Sequence, residues 1–214
     1  MIENRKVNPR GQGGRLRRDI LDTAVDLLGQ ASADDGVTLR DIARRIGIAA
    51  PSVYSHFPDR AAVIDTVIEE SYEALTAATH AAKEGLDCPA ERLRALATAY
   101  VRFGRDHPGR YRILFEASTE DARARPPAPG GAAAFTGLSA LVAECITEGS
   151  STSTDPTLDS TALWTALHGI VTLPRATPAF AWPDTEVLTD RVVTGLAGLR
   201  PDHRHPETPP APSR

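Results

Sequence analysis

Two short apolar-striped segments on either side of a single glycine constrain this chain more than any other feature. The first opens at Thr38, whose side-chain oxygen can accept a backbone N–H of a first helical turn. Asp41, three residues on, is a weaker version of the Glu of a capping box. Leu39, Ile42, Ala43 and Ile46 repeat at the spacing of one buried helix face. Gly47 follows, where a left-handed turn costs a glycine little. The second segment runs from about Ala50 to Phe57, with Pro51 in a first turn whose N–H groups lack intrahelical partners anyway. Val53 and Phe57 are its inward positions. Pro58-Asp59 ends it, and Asp59 can cap the next helix.

The same helical periodicity extends along the chain. Ile20, Leu21, Ala24, Leu27 and Leu28 stripe a helix from about Arg15 to Ala31, which Asp34-Asp35-Gly36 breaks. A long helix from about Arg60 to Lys83 carries Val63, Ile64, Val67, Ile68 and Leu75. Further helices are expected at about Ala90–Asp106, Tyr111–Ala117, Ala132–Gly149, Thr157–Leu173 and Thr185–Leu199. His107-Pro108-Gly109 reads as a turn, Asp121–Gly131 as a loop, and Pro174 and Pro178 as the connection between the last two helices. Val and Ile never form the alternating runs of strands, so the expected class is all-α. The division expected is an arm over 1–14, a three-helix unit over 15–60, a larger helical body over 61–199 and a disordered tail over 200–214.

Composition narrows the function classes. Hydrophobic residues make up 41% and charged residues 24% of 214, as in an ordinary soluble domain with a proper core. The N-terminus has no apolar signal region, and the longest charge-free apolar run, read as Ser160–Pro174, is too short for a bilayer. Cys88 and Cys145 lie far apart with no ligand spacing, which points to a reducing, cytoplasmic setting. Six histidines show no metal spacing apart from a tail His203-x-His205, and no phosphate loop or nucleophile elbow is present. Neither a metal, a cofactor nor a catalytic residue is therefore expected, and an enzyme with an incidental three-helix unit is the less favoured reading. The charge is uneven: residues 1–60 hold ten Lys/Arg against eight Asp/Glu, and residues 61–214 fourteen against twenty. Arg5, Lys6, Arg10, Arg15, Arg17 and Arg18 face Glu3 alone in the first eighteen residues. A basic leading end on an acidic body fits a polyanion contact confined to one end.

Two short helices joined by a glycine turn and preceded by a third helix can place the second in a DNA major groove. Small residues at Ala50, Pro51 and Ser52 permit close approach to base edges, while Tyr54 and His56 offer hydrogen bonds to phosphates. The string from Thr38-Leu39-Arg40-Asp41-Ile42-Ala43 to Gly47-Ile48-Ala49-Ala50-Pro51-Ser52-Val53-Tyr54-Ser55-His56-Phe57-Pro58-Asp59-Arg60 closely resembles the signature of TetR/AcrR-family regulators. The likeness covers about residues 15–65. Farther on, Tyr100-Val101-Arg102-Phe103, His107-Pro108-Gly109-Arg110-Tyr111, Phe115 and Leu163-Trp164 with Leu167-His168-Gly169 resemble that family's WHG ligand-domain subgroup. The resemblance implies that Thr38, Tyr54, His56 and Arg60 hold phosphates and that Ala50, Pro51 and Ser52 face bases. Arg40 matches a position that reads a guanine edge in the repressor that gives the family its name. Relatives often carry Ser where this chain has Ala49, and a polar or basic residue where it has Ala50. Direct readout then rests on thymine methyl contacts, Ser52 and Arg40, with shape readout and the arm supplying the remainder.

The body is expected to sense a small-molecule effector, with Tyr100, Phe103, Phe115, Trp164 and His168 as candidate lining, beside Phe135 and Leu138. Trp164 and His168 lie four apart on one helical face and can share a pocket; His168 can equally be a core or interface histidine. Ala162, Ala166 and Gly169 beside Leu163, Leu167 and Ile170, with Leu188, Val192, Leu196 and Leu199, suit a two-fold four-helix interface. The expected whole is a homodimeric repressor on double-stranded DNA, released from a palindromic operator by its effector, with the long helix as lever. A DNA-binding activator or architectural protein without an effector is the competing reading.

Overall fold

The computed structural model describes residues 13–30, 37–115 and 129–201. The arm before residue 13, the Asp34-Asp35-Gly36 break, residues 121–128 of the expected loop and the tail from residue 202 lie outside them. Among the described residues there are nine helices and no strand, only an isolated bridge between Ser151 and Leu199. The helices are α1 (Gly13–Gln30), α2 (Leu39–Ile46), α3 (Ala50–Tyr54), α4 (Arg60–Ala81) and α5 (Pro89–Asp106). They continue with α6 (Pro108–Phe115), α7 (Pro129–Thr147), α8 (Pro156–Ala176) and α9 (Thr185–Leu196). Two compact units contain them: residues 1–78 with 102–134, and residues 79–101 with 135–214.

The first unit is built on the expected stripes. Ile20, Leu21 and Ala24 of α1 meet Leu39, Ile42 and Ala43 of α2, Val53 and Phe57 around α3, and Val63 and Val67 of α4 in one buried cluster. Ile113 of α6 completes it, although the sequence places Ile113 far from the others. α6 enters because α1 and α6 meet through glycine. A Cβ on Gly29 would lie 2.5 Å from the Gly109 Cα, and one on Gly109 would lie 3.1 Å from the Val25 carbonyl oxygen. At that separation the backbones touch, and Arg112 donates to the Gly29 carbonyl. The reading of His107-Pro108-Gly109 as a turn needs correcting. α6 starts at Pro108, the His107 carbonyl accepts the Tyr111 N–H at 3.0 Å, and Gly109 is a packing residue inside the helix. Proline fits there because a first-turn N–H has no intrahelical partner.

The second unit packs the first part of α5 with the greater part of α7 and with α8 and α9. Leu93, Ala97, Val142, Cys145, Leu163, Leu167, Val193 and Ala197 are among its most buried side chains. Arg94 of α5 donates to Asp190 at 3.0 Å and to Thr194 at 3.4 Å, tying α5 to α9, and Arg92 pairs with Glu144 of α7 at 2.8 Å. The buried Ser151 hydroxyl donates to the Ala197 carbonyl at 2.7 Å, closing the end of α9 onto the α7–α8 connection. Asp155 and Asp184 cap α8 and α9 by accepting two backbone N–H groups each. Two expectations shift here. Pro174 lies inside α8, which runs on to Ala176, where Thr177 returns its N–H to the Leu173 carbonyl at 2.8 Å. Among the described helices it is α7, not the 160–174 stretch, that is long and apolar enough to cross a membrane, with 22% of that window buried. Its exposed residues are Pro, Ala, Thr and Gly, for which transfer to hydrocarbon gains little, and the charged Glu144.

The Gly29–Gly109 contact should be felt in stability. Gly29→Ala is expected to cost about 1–3 kcal/mol by overpacking against backbone, despite alanine's better helix propensity. Gly137→Ala in α7, where a Cβ meets nothing within 4 Å, should raise stability by up to about 1 kcal/mol. Chemical denaturation of the two variants beside the parent chain checks both signs.

Candidate nucleic-acid interface

The candidate site begins at the backbone turn before α2. Thr38 is extended (φ −103°, ψ 161°), and its hydroxyl oxygen accepts the Asp41 N–H at 3.2 Å. Asp41 answers by accepting the Thr38 N–H at 3.0 Å and the Thr38 hydroxyl at 2.6 Å. The capping box that looked weak with Asp in place of Glu is therefore complete, because the shorter acid still spans one turn. The Thr38 hydroxyl bond, then the Thr38 backbone bond, hold the Asp41 carboxyl below its ordinary 3.8, with Arg44 adding to the effect. Gly47 adopts φ 81°, and its N–H closes on the Ala43 carbonyl at 3.0 Å, as does that of Ile48.

α3 is shorter than the expected Ala50–Phe57. It ends at Tyr54, and residues 55–56 continue as a turn. Ser55 donates its hydroxyl to the Ser52 carbonyl at 2.8 Å, and Pro58 bars its predecessor from extending the helix. Val53 and Phe57 are buried as expected, at 0% and 3% exposure. Pro51 and Tyr54 are exposed, Tyr54 by 50%, while Ala50, Ser52 and His56 are half-buried. Ala49 gives α3 no side-chain cap. Arg40, Arg44 and Arg45 are exposed on α2 and Pro51 and Tyr54 on α3, with Ser52 partly outward.

Two expected phosphate groups already have work inside the protein. The Thr38 hydroxyl serves the capping box, and the Arg60 Nε donates to the Val37 carbonyl at 2.8 Å, anchoring the start of α4 to the chain two residues before α2. Asp59 accepts the Ala62 N–H at 2.8 Å, as its capping role predicts. Sequence reasoning missed Arg17, which it counted only as part of a basic end. Its guanidinium lies 5.1 Å from the Phe57 ring centroid and 3.7 Å from Glu70, bracing α1 against the end of the motif and α4. Only the fold could reveal this, since Phe57 is forty residues away.

The five candidate effector residues fall in both units. Phe103 and Phe115 belong to the first, where Phe103 packs on His107 at 5.1 Å and Phe115 on Tyr111 at 4.7 Å and edge-on to Tyr72 at 6.3 Å. Burial pushes the Tyr72 phenol up. Gly130 and Gly131 lie so close to the Tyr72 ring that a Cβ on either would come within 2.7 Å of its side chain. Tyr72 was not foreseen, because a lone aromatic on α4 carries no local signal. Tyr100, Trp164 and His168 belong to the second unit. There the Trp164 indole donates to the Tyr100 hydroxyl at 3.2 Å and meets Phe135 edge-on at 6.2 Å. Trp164 is 40% exposed and His168 half-buried. No group of three or more His, Cys, Asp or Glu able to hold a metal occurs among the described residues.

Two family models match separate stretches of the chain. Residues 20–67 match the family described as bacterial regulatory proteins, tetR family, and residues 93–196 match the tetracyclin repressor-like C-terminal domain. Neither description distinguishes the WHG subgroup. Among curated relatives, the nucleoid occlusion factor SlmA of Actinobacillus pleuropneumoniae serotype 5b is 25% identical over 114 residues, 53% of this chain and 56% of that protein. The same factor of Vibrio vulnificus is 26% identical over 98 residues, 46% of this chain and 50% of that protein. The chain thus spans about half the length of the curated relatives it matches. A solved protein of unknown function from Rhodococcus sp. RHA1 is 28% identical, with a TM-score of 0.73 over 90% of this chain and 99% of that one. The TetR family transcriptional regulator PfmR of Thermus thermophilus, 20% identical, shares the fold at a TM-score of 0.66 over 85% of this chain and 99% of that one.

The capping box has a pH signature. Asp41 is held below 3.8 in the folded chain, so its contribution is complete above that pH. It is lost as pH falls through the lower folded value. Thermal melts from about pH 5 down to about pH 2 should show a smaller acid loss for Asp41→Asn than for the parent chain.

Proposed function

Since the chain belongs to the tetR family of bacterial regulatory proteins and is a DNA-binding regulator rather than an enzyme, we propose that it is a homodimeric repressor. In this reading residues 15–60 hold a palindromic operator, residues 61–199 form the sensing and dimerising body, and a small-molecule effector releases the DNA. The observation that carries it is that Arg40, Pro51 and Tyr54 are exposed, and Ser52 partly so, on a motif whose Leu39, Ile42, Ala43, Val53 and Phe57 are buried in the core. Arg40 reads a guanine edge, Pro51 and Ser52 approach bases with Ala50 beside them, and Tyr54 and His56 grip phosphates. Thr38 and Arg60 act at the same end of the motif, where their internal bonds hold the backbone that meets the phosphate. So few polar side chains face the bases that specificity depends on Arg40, on methyl contacts and on the spacing of two half-sites.

Dimerisation is supported by α8 and α9, which expose Leu158, Trp164, Leu173, Val187 and Leu196, whereas Leu163, Leu167, Ile170 and Leu199, expected at the interface, are buried within the unit. A two-fold axis through such helices presents two recognition helices to successive grooves. For the effector, the second unit offers the Tyr100–Trp164 pair with His168 one turn further along α8, an apolar surface with a polar tip as small-molecule sites use. The WHG likeness of that region supports the same role. In the first unit, Phe115 serves the aromatic packing around Tyr111 and Tyr72, and Phe103 packs on His107. The protein acts in the cytoplasm, where its DNA is. An effector that prefers one of two dimer geometries by a few kcal/mol suffices to release the operator, with α4 as the moving element.

Footprinting on DNA upstream of the coding sequence should protect a palindrome whose half-sites are centred about one helical turn, or a multiple of it, apart. Tyr54→Phe removes one hydroxyl from an exposed site and should weaken operator binding by about tenfold, with unchanged circular dichroism. Undiminished affinity of Tyr54→Phe in a gel-shift titration would falsify the assignment of this face to DNA.

A further inference from the structure

Arg40, Arg44 and Arg45 are exposed on α2, and the structure fixes the direction of one of them. Arg44 lies in the last turn, yet its guanidinium reaches back one turn, and Nη2 donates to Oδ1 of Asp41. The other oxygen of that carboxylate is occupied by the Thr38 N–H and hydroxyl. The Asp41 carboxylate thus joins Thr38 and Arg44 into one cluster at the N-terminal end of α2. A basic side chain in the last turn is ordinarily favoured by the negative end of its own helix; here a specific acceptor draws it the other way. The Arg44 side chain remains 80% exposed, and Asp41 engages one of its nitrogens while a guanidinium carries five N–H donors. An exposed ion pair of this kind adds little to stability, so its orienting effect matters more than its energy. Arg44 is also four residues from Arg40, so both rise from one helix face.

We propose that Arg44 is a further DNA-backbone contact and that Asp41 is a positioning residue, holding the Arg44 guanidinium toward the phosphate met by the Thr38 end of α2. The inference rests on the reading that the α2–α3 face meets DNA. Arg44 joins Arg40 there, one gripping the backbone while the other reads a base. Because its direction is set before binding, less side-chain freedom is lost when the phosphate arrives. Arg44 also neutralises Asp41, whose bare carboxylate would otherwise repel the phosphate.

Fluorescence anisotropy of the full chain with a labelled random-sequence duplex of about 30 base pairs, from about 50 to about 200 mM KCl, tests this without knowledge of the operator. Arg44→Ala should weaken binding by about tenfold near 0.1 M salt and lower the salt slope by about one per protomer. Arg44→Lys should retain most of the slope. Asp41→Asn is the decisive variant: Asn can still accept the Thr38 N–H, but it no longer draws the guanidinium. Simple electrostatics predicts tighter binding on removing a negative charge, whereas positioning predicts binding weakened about two- to threefold. An unchanged slope for Arg44→Ala, or equal or tighter binding by Asp41→Asn, overturns the proposal. Tyr54→Ala, measured alongside, separates the two failures. If it weakens binding and Arg44→Ala does not, only the role of Arg44 falls; if neither does, the α2–α3 face is not the DNA surface. Circular dichroism of each variant confirms that the helices are intact.

Discussion

A helix of five residues has no stability of its own, because nucleation fixes several dihedrals for very few hydrogen bonds. α3 exists because Val53 and Phe57 are buried in the core of the first unit, against Ile20, Leu21 and Ala24 of α1, Leu39, Ile42 and Ala43 of α2, and Val63 and Val67 of α4. Everything proposed for DNA binding depends on that burial. With the inner side held, the outer side can carry Pro51, Ser52 and Tyr54 without contributing to the fold. It can also lack a capping side chain at Ala49, a deficit that an isolated helix would not tolerate.

The backbone around this core is satisfied largely by local bonds. The Thr38–Asp41 box closes the start of α2, Gly47 closes its end, and Asp59 closes the start of α4. Longer reaches then lock these short elements together: Arg60 onto the Val37 carbonyl, and Arg17 between the Phe57 ring and Glu70. Arginine suits both tasks, since a planar fork can donate along its edge and stack on its face. The basic residues near the motif are therefore not interchangeable surface charge. Some brace the motif, and others are displayed by it.

Much of the first unit was legible in the sequence because its signals span three or four residues. The α2 cap, the Gly47 turn, the buried stripes and the inward Val53 and Phe57 all follow from helical periodicity and backbone bonding. The errors have equally physical causes. The Pro108-Gly109 pair looked like a turn because both residues break helices in isolation, yet a proline is harmless in a first turn and a glycine is required where α1 touches α6. Pro174 looked like a boundary, but α8 continues past it, anchored by the Thr177 bonds to Leu173. For the candidate effector residues, neither the family likeness nor the spacing of Trp164 and His168 shows that Phe103 and Phe115 belong to one compact unit while Tyr100, Trp164 and His168 belong to the other.

By itself, then, the sequence determined the helical class, the order of the helices, the capped and glycine-ended form of α2, and which faces of α2 and α3 turn inward. Those properties depend on neighbours within one or two turns. Tertiary structure alone decided that Ile113 completes the core, that Arg112 reaches the Gly29 carbonyl 83 residues away, and which arginines brace the motif. Such contacts are set by how closely backbones approach across the packed unit. At Gly29 and Gly109 that distance depends on two missing side chains, whose significance no local pattern could reveal.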